Sequence, residues 1–159
     1  MSSYLDEEEK VVEHVAVVSD EAKAMLLELA DLLDSLPPGR FDYSHWVSSN
    51  WEGAEDLSCG TTACAAGWAT TLPSFRAKGL QLYRFTRGTV AEVRQVDDDG
   101  FEHARAFEAL ANVLDIGLVD AYELFSPGET CSKLGLTSPA AEAEAIEVAD
   151  WIREWVAAS

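Results

Sequence analysis

The sequence predicts an α+β fold, predominantly α-helical: a compact helical bundle around a central helix bearing Trp68, with one small β-hairpin. Three observations carry this. Residues 19–36 and 138–156 place apolar side chains at three- and four-residue spacing, the period of a helix with one buried face. Residues 80–96 switch to two β-rich runs around Arg87-Gly88, the pattern of a hairpin. Residues 58–72 gather Cys59, Cys64, Gly60, Gly67 and Trp68 into one apolar segment suited to a core position.

A chain of 159 residues with 48% hydrophobic residues fits one globular domain, 1–159. Burial of roughly 70% of the unfolded surface is expected at that size, so no disulfide or metal staple is needed. The core is expected over 19–159, with 1–18 a loosely packed N-terminal extension. That segment begins with Asp6, Glu7, Glu8 and Glu9 and continues with Val11, Val12, Val15, Val17 and Val18. It reads as helical at first and extended toward its end.

Ser19-Asp20 offers an N-cap, and Ala22, Met25, Leu26, Leu29, Leu32 and Leu33 then form the stripe of an amphipathic helix. Pro37 and Pro38 end it, because proline removes a donor and excludes helical geometry from the residue before it. Phe41 and Trp46 follow as aromatic anchors of a loop. In the helix of residues 58–72, Cys64, Trp68 and Leu72 share one face, while Ala63, Gly67 and Thr70 make a second face of small residues. Glycine inside a helix costs about 1 kcal/mol relative to alanine, so Gly67 reads as a contact point for a neighbouring backbone.

After the hairpin, Asp97-Asp98-Asp99-Gly100 is read as its closing turn. Residues 101–114 are expected to be helical, broken at Gly117, and residues 119–125 form a second short helix. A helix-turn-helix reading fails on charge: the second helix carries Asp120 and Glu123, unsuited to a phosphate-lined groove. Ser138 and Pro139 read as N-cap and first residue of the last helix.

Net charge is −18, with 29 acids against 11 Lys and Arg. This argues strongly against a direct nucleic-acid-binding surface, which needs clustered cations, and disfavours an anionic membrane; the acids, spread along the chain, are open to reading as a solubilising face, a binding surface or a nucleic-acid mimic. No apolar run approaches the ~20 residues of a membrane span, and an acidic N-terminus is unlike a signal peptide. A cytoplasmic protein is expected. Three cysteines without framework spacing agree with a reducing compartment.

Two chemical readings of the cysteines are open. Cys59 and Cys64, with His45, His103 and Cys131 available to complete a set, have the residue types of a zinc or redox site. On one continuous helix, however, their Cα atoms would be roughly 7.5 Å apart with side chains diverging by about 140°. The pair converges only if Cys59 lies in the preceding loop with Thr61 as the cap. Alternatively, Cys59 at a helix N-terminus would have a lowered thiol pKa and act as a nucleophile with His103 as base. Against both stands a packing reading, in which Cys64 is a small core residue and Cys59 a half-buried cap. No glycine-rich phosphate loop or nucleophile elbow is present. No cofactor is expected.

Residues 41–46 (Phe-Asp-Tyr-Ser-His-Trp), Cys59-Gly60-Thr61 with Cys64 and Gly67-Trp68, and the run 109–125 with Leu114-Asp115-Ile116-Gly117-Leu118 and Leu124-Phe125 together resemble a loose group of small proteins encoded by actinobacteria and their bacteriophages. That group has the pattern Cys-Gly-Thr-x-x-Cys-x-Ala-Gly-Trp. The resemblance covers residues 41–125, with departures at Tyr43 and at Ile116-Gly117. It implies a bacterial or phage origin and a cytoplasmic setting, and it carries no activity or catalytic residue with it. The expectation is a non-enzymatic interaction protein with a protein partner, reached through its acidic surface; the alternative is an enzyme or metal site centred on Cys59.

Overall fold

The computed structural model describes residues 18–36, 41, 64–84, 91–126, 128–133, 135–140 and 142–159. The fold is α+β and predominantly helical, with one small three-stranded antiparallel sheet. Helix α1 spans Asp20–Asp34, α2 Ala65–Ala69 and α3 Pro73–Arg76; strands β1 Leu80–Arg84, β2 Ala91–Val96 and β3 Glu102–Arg105 follow. Helices α4 Ala106–Leu114, α5 Leu118–Phe125, α6 Gly128–Lys133 and α7 Ala145–Ala158 complete the described order.

Helix α1 forms where its stripe predicts. Ser19 Oγ accepts the Ala22 amide at 3.1 Å, satisfying one of the donors a helix start leaves without an intrahelical partner. The apolar stripe is buried, with Leu26 and Leu29 fully enclosed. It packs against α7, which runs antiparallel to it: Lys23 Nζ reaches Ser159 O at one end, and Arg153 meets Asp31 and Asp34 at the other. Arg153 also takes Asp150, so one guanidinium answers three carboxylates.

The sheet is a meander in the order β1-β2-β3. Leu80, Leu82, Val93 and Ala104 lie on the face turned to the core, which α4 covers. The opposite face carries Gln81, Arg94 and Arg105 in register, tied by Arg94–Glu102 (3.8 Å) and Arg105–Glu102 (2.5 Å). Helices α4 and α5 stack Phe107 on Tyr122, with ring centroids 4.5 Å apart. Glu123 then links α5 to α7: its carbonyl accepts Trp151 Nε1 at 3.0 Å and its carboxylate accepts Trp155 Nε1 at 3.3 Å.

Several sequence expectations need correction. The helix expected over 101–114 is divided: 102–105 is a third strand, and Asp97–Gly100 turns the chain into it rather than closing the sheet. The switch occurs at Ala106, whose φ of 55° lies in the left-handed region and turns the chain sharply out of the strand. The break expected at Gly117 falls at Asp115, also at φ 55°, where the Ile116 amide bonds back to Ala111 O at 2.9 Å in a Schellman closure. Gly117 instead caps α5.

The last helix begins at Ala145, not at Pro139, with Glu144 and Glu147 forming its capping box. Ser138 and Pro139 are engaged elsewhere: Ser138 Oγ donates to Ser126 O at 2.7 Å, and Pro139 O accepts the Gly128 amide at 2.6 Å. A Cβ on Gly128 would stand 2.7 Å from Ser138 O, so this close crossing of backbones requires glycine. The loop–helix expectations for 1–17, for Trp46 and for the Arg87-Gly88 turn lie outside the described residues.

Candidate functional site

Cys64 is the N-cap of α2 rather than a member of its interior, with φ −81° and ψ 179°. The helix expected over 58–72 is therefore only Ala65–Ala69 in its described part, and all five of its residues are buried. Small side chains permit this: α2 packs between α1 and β2, with Trp68 as its large group. The hydroxyls beyond it are absorbed locally, Thr70 Oγ1 donating to Gly67 O at 2.6 Å and Thr71 Oγ1 to Trp68 O at 2.7 Å. Cys64 and Gly67 are thus both buried.

His103 is on β3 and exposed, where sequence placed it on a helix. Its Nε2 lies 3.4 Å from Asp97 Oδ2 at the head of the β2–β3 turn. Asp97 Oδ1 accepts the amides of Phe101 and Asp99, each at 2.9 Å. The Phe101 hydrogen bond chiefly holds the Asp97 carboxyl below the usual carboxylate range, with Asp99 and His103 adding to it against partial desolvation. Phe41 is half-buried against the core. His45, Trp46, Cys59, Gly60 and Thr61 lie outside the described residues.

Cys131, on α6, is fully buried, and its Sγ donates to Tyr122 O at 3.2 Å. Burial pushes its thiol pKa up, against opposing hydrogen bonds with Ser138 and Ser126. A thiol held protonated in this way is a poor nucleophile and a poor metal ligand. Among the described residues, no group of three or more His, Cys, Asp or Glu is placed to hold a metal ion.

Two concavities on the described surface lie beside α1, α3 and β1. The smaller, about 240 Å³, lies beside β1 and is lined by Thr70, Arg76, Leu80, Gln81 and Leu82. The larger is an open groove of about 680 Å³ between α1 and the α3 turn. Ala24, Met25, Leu27 and Ala77 supply its apolar surface, and Glu21, Glu28, Asp31 and Lys78 its charge. Two hydrogen bonds fix α3 antiparallel to α1 along it: Ser74 Oγ to Glu28 Oε1 at 2.6 Å, and Lys78 Nζ to Glu21 Oε1 at 2.9 Å.

Sequence reasoning did not single out this groove. The available signal was Leu27, an apolar residue standing off the buried stripe of α1 and 40% exposed. No known protein family, curated protein or solved structure matches the chain.

Proposed function

We propose that this chain is a non-enzymatic interaction protein of the bacterial cytoplasm, encoded by a phage or mobile element of an actinobacterium, that binds a host macromolecule through its acidic surface. The observation that carries this is the charge balance and its disposition. Twenty-nine acids face 11 Lys and Arg. Of the described cations, Lys78, Arg94, Arg105 and Arg153 each lie within 4.0 Å of a carboxylate. Each such pair cancels one acid with one cation, and the carboxylates in excess leave the outward field negative, which attracts a basic partner and speeds its encounter. Among the described helices, none is long and apolar enough to cross a membrane.

The test is retention of lysate proteins on the immobilised chain at low salt. Basic proteins should be held and should elute as salt rises, because screening shortens the reach of surface charge. An empty eluate overturns the reading.

A further inference from the structure

We propose that the groove between α1 and the α3 turn is the docking site for a short amphipathic segment of a protein partner, apolar on one face and bearing Lys or Arg at its edges. The inference rests on the acidic-surface reading above and deepens it by naming the surface and the chemistry that it recognises.

The groove combines an accessible apolar surface with an acidic rim. Its apolar surface is accessible: Leu27 is 40% exposed, and Ala24 and Ala77 are exposed beside it. Along α1, the ten-residue step from Glu21 to Asp31 rises about 15 Å, matching roughly three turns of a partner helix laid alongside. Its charge is also of one predominant sign, with Glu21, Glu28 and Asp31 against Lys78. Glu21 is paired with Lys78 and Asp31 with Arg153. Glu28 accepts only a neutral hydroxyl in its contact with Ser74, which satisfies an oxygen without compensating the charge. A partner cation is therefore best placed over Glu28, with the partner's apolar residues on Leu27 and Ala24.

Charge also selects among occupants. A second copy of this chain brings a further −18. The chain's own first residues bring Asp6, Glu7, Glu8, Glu9 and Glu13 against Lys10. Nucleic acid and anionic lipid are repelled in the same way. A basic amphipathic peptide is attracted by the rim and buries its apolar face on the floor.

The experiment titrates the full chain with a fluorescent helical peptide of leucine and lysine, its leucines on one face, and with a scrambled peptide of the same composition. Saturable binding at low salt is expected, tighter for the amphipathic peptide. Leu27→Gln should weaken it about fivefold or more, and Glu28→Gln about two- to fivefold with a shallower salt dependence. Asp98→Asn, the same charge change at the exposed β2–β3 turn, should leave it unchanged. Thermal melts of both groove variants should match the parent, since both side chains are at the surface.

If the two peptides bind alike and Glu28→Gln and Asp98→Asn weaken binding equally, the groove is not the site, while the acidic-surface reading stands. If neither peptide binds at low salt, both readings fall. If sedimentation shows a dimer that Leu27→Gln dissociates, the groove is a contact between copies and the proposal is overturned.

Discussion

The antiparallel pair α1–α7 and the run from β1 to α4 bury comparable apolar faces but specify them differently. In α1 every decision is carried by side chains: a serine cap, a stripe of leucines and alanines, and acids turned to solvent. In the β1–α4 run the decisive positions are backbone ones. Gly79 at φ +95°, Gly100 at φ +88° and Ala106 at φ 55° redirect the chain, and a register shift at Gln95/Val96 bends β2. The first kind of specification is spread over many residues, the second concentrated in a few. Substitutions should therefore divide between the regions by mechanism as well as by size.

The largest effect is expected in the helix pair. Leu26 is fully buried on α1, and Leu26→Ala removes its contacts and leaves a cavity in a packed interface, costing about 3–4 kcal/mol in chemical denaturation. A loss below about 1 kcal/mol would show that α1 can relax into the space, and that the pair is less tightly specified than its burial suggests.

Next comes the entry to the sheet. A Cβ on Gly79 would lie 2.1 Å from Val96 O, a backbone atom that cannot swing away, because the Val96 amide is itself bonded to Gly79 O at 2.9 Å. Gly100 has the same sign of φ, with nothing within 4 Å of the added atom. Gly79→Ala should thus cost about 2–3 kcal/mol, combining left-handed strain with a steric shift, and Gly100→Ala only the strain of about 1–2 kcal/mol. Equal losses would mean that conformational strain alone explains both sites.

Ala106 tests the backbone mechanism in the opposite direction. An alanine at φ 55° carries left-handed strain that glycine does not. Ala106→Gly should raise stability by about 0.5–1 kcal/mol once the larger unfolded-state entropy of glycine is subtracted. A destabilised variant would place the strand-to-helix switch in packing around the Ala106 methyl rather than in the backbone.

The same contrast explains what could be read from sequence. The class of fold, α1, the two strands 80–84 and 91–96, and the short α5 were legible because hydrophobic period and polar punctuation agree there. The strand 102–105 was not. It runs into α4 without a Gly or Pro between them, and its four residues bury only Ala104, so no alternation announces it. Ser138-Pro139 was misread for a related reason: a sound helix-start signal was taken up by the tertiary bonds to Ser126 and Gly128. At the candidate site, Cys64 and Gly67 were legible as core residues by their small size. The groove was not, because it depends on how the α3 turn, which sequence did not resolve, lies against α1.

The smallest expected effect concerns the β2–β3 turn and is readable as pH dependence. Asp97 is held ionised chiefly by the Phe101 amide, and its folded pKa is lowered. A lowered folded pKa means that the unfolded state binds the proton more readily. The carboxylate therefore contributes fully above the unfolded value of about 3.9, and the contribution is lost as pH falls through the folded value. The amides of Asp99 and Phe101 should lose protection against exchange, relative to their intrinsic rates, below that pH, ahead of amides in α1, whose cap is the neutral Ser19 hydroxyl. Asp97→Asn keeps an acceptor for both amides and should flatten this pH dependence while preserving the turn; Asp97→Ala should loosen the turn at every pH. If the turn amides of Asp97→Asn kept the parent's pH profile, another acid would be responsible. The backbone-specified region would then hold its third strand without help from this side chain.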